Sequence, residues 1–243
     1  MTIQAALNGT RSGTDHPEIP ITPRTQATEA SASVAAGASA IHVHVRDANG
    51  NESLAASDLA DTIGAIRDAC PGIPLGVSTG AWIVPDLAKR LAMIRAWNVL
   101  PDFASVNLHE AGAIDVMQLL LDKGVGVEAG IWNAPAAAAL VGSKLADRCV
   151  RILLEPAEAS CRAAANLSQI ESVLQGVETP RLLHGLGHFA WHFVELAVKR
   201  RYDTRVGFED TLRLPDGTRA ASNADLVLAA REIIERLTLV EHA

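Results

Sequence analysis

The stretch AIHVHVRD, Ala40–Asp47, alternates small or β-branched residues with His42 and His44 before closing on Arg46 and Asp47. Such alternation is the pattern of a β-strand, whose successive side chains point to opposite faces. A helical pattern over Ala56–Ala69 follows, and then a second short apolar run, PLGVSTG at Pro74–Gly80. The same unit recurs in both directions along the chain. The further strand candidates are TIQAALNG (Thr2–Gly9), FASVNLHE (Phe103–Glu110), GVGVEAGIWN (Gly124–Asn133), VRILLEP (Val150–Pro156), RLLHGLG (Arg181–Gly187) and TRVGFED (Thr204–Asp210). Helical patterns separate them over Pro23–Ala36, Pro85–Trp97, Ala113–Asp122, Pro135–Arg148, Glu158–Leu174 and Phe189–Arg201, with a last one at Asn223–Leu239. Most strands are short and apolar, as expected of strands covered on both faces. Thr22 before Pro23 is a helix start, a capping hydroxyl followed by a proline at the first helical position. Eight strand–helix units in a row predict an α/β protein, a closed (β/α)8 TIM barrel forming one domain over residues 1–243. A doubly wound open sheet is the second choice, since no nucleotide-binding half-repeat is evident.

With 243 residues, 49% of them hydrophobic, the chain can bury a large core. Its net charge of −7 speaks against a nucleic-acid partner, which needs a basic footprint, but leaves room for an anionic small molecule held by a local Arg or Lys. The opening MTIQAALNGT lacks the basic segment and apolar run of a secretory signal, and no apolar run reaches the roughly 18 residues a membrane span needs. Cys70, Cys149 and Cys161 have no motif spacing and read as buried, reduced thiols of a cytoplasmic protein.

Chemistry in a barrel of this kind collects at the C-terminal ends of the strands. Those ends are polar here: Asn8 and Arg11 after the first strand, Ser78 and Thr79 on the third, Ser105, Asn107 and His109 on the fourth. Glu128 is on the fifth, Glu155 ends the sixth, His184 the seventh, and Arg205, Glu209 and Asp210 belong to the eighth. His42 and His44, two residues apart on a strand, share a face. Either each is a core imidazole with a buried partner, or the two form a metal pair. Imidazole is the commonest metal ligand, and a catalytic zinc takes three protein ligands plus an open position. The third ligand is then expected from another strand end, Glu209 first, with Glu128 and Glu155 behind it.

The run HGLGHFAWHF, His184–Phe193, places Gly185 and Gly187 between the seventh strand and a helix. Barrels commonly bind phosphate there through backbone amides, which makes this pair the candidate cofactor-binding glycines. His188 and His192 have i, i+4 spacing but lack the adjacent Glu of a zincin motif, so they read as core or surface residues. Trp191, Phe193 and Leu196 read as packing.

The segment AALNGTRSGTDHPEIPITP (Ala5–Pro23), the strand IHVHVRD with its following DANG, the VSTG strand and TRVGFED resemble the β-keto acid cleavage enzymes. The matching motifs run in order from Ala5 to Asp210. The resemblance implies a (β/α)8 barrel binding one zinc ion, usually a homotetramer. It also implies an acyltransferase that condenses a β-keto acid with acetyl-CoA and cleaves the product to acetoacetate and a new acyl-CoA. Residue by residue, it makes His42, His44 and Glu209 the zinc ligands, Asp210 the general base and Arg205 its neighbour aiding deprotonation. Ser78 matches an active-site serine and Glu128 an active-site glutamate, though the strand around Glu128 differs from the commoner pattern. Ser105 and Asn107 would face the substrate. A base near neutrality would need a raised pKa, which partial burial of Asp210 is expected to supply.

Two departures stand out. The chain is shorter than typical members, so loops over the site are expected to be trimmed. Arg11 also stands where the type enzyme has a glutamate for the substrate's amino group, which suits an uncharged or carboxylated tail instead. The competing readings are a metal-dependent hydrolase on the same barrel and a metal-containing barrel that only binds a ligand. The first commonly draws histidines from strands five and six, where this chain has Glu128 and Glu155. The second has no use for a positioned base.

Overall fold

In the computed structural model, which describes residues 1–156 and 162–241, parallel strands pair in chain order and the last closes on the first. Ile3 of β1 (Ile3–Ala6) lies opposite Thr204 of β8 (Asp203–Val206), and Ala6 opposite His42 of β2 (Ala40–Val43). The circuit runs through β3 (Leu75–Ser78), β4 (Phe103–Asn107), β5 (Gly126–Ile131), β6 (Arg151–Leu154) and β7 (Arg181–Leu183). Closure leaves no strand edge exposed, and every β-to-β connection crosses through a helix. Among the described residues the helices are α1 (Pro23–Ala36), α2 (Ala56–Ala69), α3 (Leu87–Arg95), α4 (Ala113–Asp122), α5 (Ala134–Ser143), α6 (Arg162–Val173), α7 (Ala190–Arg200) and α8 (Asn223–Glu241). The single (β/α)8 barrel expected from the alternation is the observed fold.

Two layers of packing hold it. Ile41, Val43, Leu75, Val77, Val127, Ile152, Leu154 and Val206 point outward into one continuous apolar core shared with the helices. There Leu59, Ile63 and Ile66 of α2 are buried, each contributing roughly 1.5–3 kcal/mol of burial. The alternate residues point into the barrel, and many of them are polar. Gln4 Nε2 donates to Glu128 Oε1 at 3.0 Å, Arg151 Nε reaches the same oxygen at 3.1 Å, and the Arg151 guanidinium lies 5.2 Å from the Phe103 ring centroid. These paired groups form the lower plug of the barrel, in which Gln4 Oε1 and Glu128 Oε2 are buried without a hydrogen-bond partner.

Helix ends follow local chemistry. The Thr22 and Thr25 side chains form a reciprocal capping box at α1. Helix α3 begins at Leu87 rather than Pro85 because the Asp86 carboxylate accepts from Lys89 N and sets the cap. The pattern over Pro135–Arg148 divides. Helix α5 stops at Ser143, Lys144 turns left-handed at φ 60°, and a 3-10 turn follows at Ala146–Arg148. The expected start of the sixth helix at Glu158 and Cys161 lie outside the described residues. Cys70 and Cys149 are buried and not joined to each other; burial pushes the Cys149 thiol up to about 11. Among the described residues no helix is long and apolar enough to cross a membrane.

Candidate active site

Strand β2 ends at Val43, so His42 lies within the ladder and His44 one residue beyond it. Asn8, at the end of β1, fixes that extra residue: its Oδ1 accepts from His44 N at 2.9 Å and its Nδ2 donates to His44 O at 3.0 Å. Gln26 Nε2 adds a bond to the same carbonyl at 3.1 Å. The imidazoles consequently stay on one side, their centroids 5.3 Å apart and their planes 77° from parallel. Arg46, two residues on, donates through Nη2 to the carbonyls of Gly9 and Arg11, the latter at 3.0 Å, and so anchors the loop after β1.

Glu209 must cross over β1 to meet these histidines. Strand β8 ends at Val206, and the chain turns at once, with Asp210 N and Thr211 N both donating to Gly207 O at 2.9 Å. Glu209 N donates to Ala6 O at 3.2 Å. The close approach requires glycine at 207, because a Cβ there would stand 2.0 Å from Ala6 O. Gly9 has φ +55°, and a Cβ on it would lie 2.5 Å from Glu209 Cγ. The result brings Glu209 Oε2 to 3.6 Å from His42 Nε2 and Glu209 Oε1 to 3.4 Å from His44 Nε2. One ligand atom from each residue falls within 4.8 Å of the others.

The donor set fits a metal ion. Two imidazoles and a carboxylate are the ligands of one class of catalytic zinc site, and Glu209 Oε2 is buried without a hydrogen-bond partner. Electrostatics shift the two rings in opposite directions. Burial, helped by the Arg205 and His44 charges, drives His42 down to about 3, leaving it neutral. Burial also works against charging His44, but Glu209 and Glu52 outweigh it and raise that ring to about 9. Glu209 is held well below the usual carboxylate range, since Arg205 and the two histidines overcome its burial.

Arg205 lines the same cleft, a cavity of about 430 Å³ over the barrel mouth. Its Nη2 lies 2.9 Å from Glu209 Oε1 and 2.7 Å from Asp210 Oδ1, while its Nε reaches Asp210 Oδ2 at 3.3 Å. The turn after β8 thus sends two consecutive carboxylates to one guanidinium, which an unbroken strand could not do. Asp210 departs from expectation in one respect. Partial burial was to raise its pKa, yet the carboxylate is fully buried behind Arg205 and its pKa is lowered. Burial does act upward, but Arg205 and His184 outweigh it. His184, fully buried, has Nδ1 3.2 Å from Asp210 Oδ1 and Nε2 3.3 Å from Glu155 Oε2. These are charge-pairing distances without hydrogen-bond alignment, since neither ring nitrogen has a bonded partner. The two carboxylates raise His184 to about 9 against the effects of burial and Arg205.

Ser78, Ser105, Asn107 and Arg11 line the cleft, as does Glu155. Asn107 Nδ2 donates to Glu110 Oε1 at 3.0 Å, and Arg11 Nε donates to Glu209 O at 3.4 Å. Among the described residues no carboxylate forms an ion pair with Arg11. Glu128 does not reach the cleft. Its register opposite Ser105 and Arg151 points it into the barrel, where it is fully buried against Gln4 and Arg151. The glycine pair also departs from its expected role. Gly187 N donates to Asp210 O at 2.8 Å, so this amide serves to hold the β8 turn and is not free for a phosphate. Gly185 packs against the Phe193 ring. His188 and His192 each lie beside the following phenylalanine and outside the cleft lining.

Several site residues had no signal in the sequence. Trp82 and Trp132 wall the cleft, and Glu52 Oε1 sits 2.5 Å from His44 Nδ1. A lone acidic residue in a polar loop looks solvated, and only the fold returns this loop to β2 through the Arg46–Glu52 bridge.

Comparison with known proteins adds a family and close relatives in fold. The sequence matches the beta-keto acid cleavage enzyme family over residues 1–168 and 156–240. It is 26% identical over 254 residues to a 3-keto-5-aminohexanoate cleavage enzyme of Fusobacterium nucleatum subsp. nucleatum, covering 93% of this chain and 88% of that protein. The enzyme of the same name from Acetoanaerobium sticklandii is 24% identical over 255 residues, with the same coverage of 93% and 88%. Among solved structures, ObcA in its ternary complex with a C4-CoA adduct and oxalate superposes with a TM-score of 0.72 at 17% identity. That match covers 91% of this chain and 65% of ObcA, so the chain spans somewhat less than two thirds of the ObcA length. At this identity the likeness is one of fold.

Proposed function

The chain belongs to the β-keto acid cleavage enzyme family, and from that footing we propose that it is a zinc-dependent acyltransferase: it condenses a β-keto acid with acetyl-CoA and cleaves the adduct to acetoacetate and a new acyl-CoA. The observation that carries the reading is the convergence of His42, His44 and Glu209 beside Arg205 on the floor of one cleft. The three ligands would hold the ion. Bound there, zinc supplies Lewis acidity toward the ketone and carboxylate oxygens of the substrate. The Arg205 guanidinium, facing the cleft, offsets the negative charge that develops as the α-proton leaves. Asp210 accepts that proton. In the resting site Arg205 and His184 hold it ionised, and an incoming anion draws the guanidinium charge toward itself, which restores basicity to the carboxylate behind it. Ser78, Ser105 and Asn107 orient the substrate from the β3 and β4 side. Glu128, below the cleft, acts on the site only by holding Arg151 and Gln4 in the barrel plug.

The test is turnover of a panel of β-keto acids with and without acetyl-CoA, read by formation of new acyl-CoA thioesters. Thioester-dependent exchange is expected. Turnover without any thioester would point to the hydrolase, and no turnover with any acid to a binding protein.

Arg11 sets the expected substrate preference. Its guanidinium faces the cleft and, among the described residues, hydrogen-bonds only a backbone carbonyl, so it can take a carboxylate in a two-point contact and repels an ammonium. A 3-ketodicarboxylate is expected to exceed 3-keto-5-aminohexanoate in kcat/KM. Arg11→Glu should move that ratio toward the amino acid by about 10–100-fold, the worth of one charge-assisted bond. A ratio left unmoved by the substitution removes Arg11 as the selector.

A further inference from the structure

His44 and His42 are held in different ways. The Nδ1 of His42 is buried with no hydrogen-bond partner; packing holds that edge of the ring, while Nε2 faces Glu209 at 3.6 Å. The Nδ1 of His44 meets Glu52 Oε1 at 2.5 Å. The same carboxylate receives the indole N–H of Trp82, Nε1 lying 3.2 Å from Oε1 and 3.0 Å from Oε2. Trp82 in turn lies over the His44 ring with centroids 6.2 Å apart and planes within 24°. Its ring also covers Gly80, where a Cβ would stand 2.3 Å from the indole. Glu52 itself is seated by its antiparallel bridge to Arg46, the residue that also grips the Gly9 and Arg11 carbonyls.

We propose that Glu52 is a positioning residue that fixes the ring orientation of His44 for the metal and ties it to Trp82, so that the cleft wall is seated together with the metal site. The inference rests on the metal reading given above and extends it to a residue and a wall outside the ligand set. With Nδ1–H directed at Glu52, Nε2 is the nitrogen left facing Glu209, at 3.4 Å, and it is the one that would give up its proton to a metal. A carboxylate accepting from both an imidazole and an indole also couples their positions. Trp82 is 45% exposed, and an exposed indole without an anchor would sample several rotamers. Anchored on Glu52, it becomes a fixed wall at the mouth of the cleft.

The experiment uses the full chain stripped of metal and titrated with Zn²⁺ against a competing chelator, while tryptophan emission is followed. In the wild type, binding is expected to change Trp82 emission, and Trp82→Phe should bind the ion tightly but lose that change. Glu52→Ala is expected to weaken Zn²⁺ binding by roughly 10–100-fold, the usual cost of removing an outer-shell partner of a metal histidine, and to abolish the Trp82 signal. Glu52→Gln retains an acceptor oxygen and should recover part of both; it also serves if the alanine variant fails to fold. Wild-type affinity in both Glu52 variants overturns the proposal while leaving the metal site intact. Weakened binding with an unchanged Trp82 signal overturns it too, by removing the coupling. No Zn²⁺ binding by the wild type overturns the metal reading itself, and the proposal falls with it.

Discussion

Protein carrying both His42→Ala and His44→Ala is expected to leave a desalting column without stoichiometric metal and without turnover. The two rings are the only nitrogen donors of the triad, and the remaining ligand, Glu209, is already engaged by Arg205 at 2.9 Å. A single carboxylate neutralised by a guanidinium is a poor site for a divalent ion. His42→Ala alone should cost more affinity than the roughly 10–100-fold of an outer-shell change, because it removes a direct ligand. The barrel should survive, since neither ring belongs to the apolar core between sheet and helices. Metal content by elemental analysis, with circular dichroism to check folding, decides the matter. A folded double variant that keeps one ion per chain rules the site out.

Asp210→Asn should lose α-proton exchange by about 10²–10⁴-fold, the range for removal of a general base, equivalent to about 3–5 kcal/mol of barrier. Affinity for the metal should change little, because Asp210 is absent from the triad and lies behind Arg205. The substitution keeps the shape and one acceptor oxygen for Arg205 but can no longer take a proton. Deuterium uptake at the α-carbon of a β-keto acid, measured without acetyl-CoA, isolates this step from carbon–carbon bond formation. Near-normal uptake by the variant would exclude Asp210 as the base. It would direct attention to Glu155, the carboxylate that lines the cleft on the other side of His184.

Much of the scaffold could be read from periodicity, because strand and helix periods depend on neighbours a few residues away. The patterns at Pro23–Ala36 and Ala56–Ala69 coincide with α1 and α2 to the residue. The i, i+2 spacing alone placed His42 and His44 on one face, and the geometry of a strand does the rest. The errors arose where a local signal met a tertiary requirement. The apolar run after Pro135 continues past Ser143, but the chain must turn there to enter β6, so the helix breaks at Lys144. Gly185 and Gly187 look like a phosphate loop, yet the Gly187 amide is consumed by the Asp210 carbonyl.

Sequence by itself determined the alternation that makes a closed barrel, the side of the barrel that carries the polar strand ends, and the paired histidines. Each of these is a matter of period, and period is written in the order of residues. Strand-end placement could put Glu209 ahead of Glu128 and Glu155 as the partner of the histidines, but no local pattern brings any of the three to them. The tertiary structure decided among them. Gly207 folds back on Ala6 and delivers Glu209 across β1, while the register of β5 turns Glu128 into the barrel plug. It also decided the charge states. Asp210 was expected to be raised by burial and is lowered, because a pKa reflects the summed field of groups brought together in space. Arg205, His184 and Glu209 meet around that carboxylate only once β7 and β8 lie side by side.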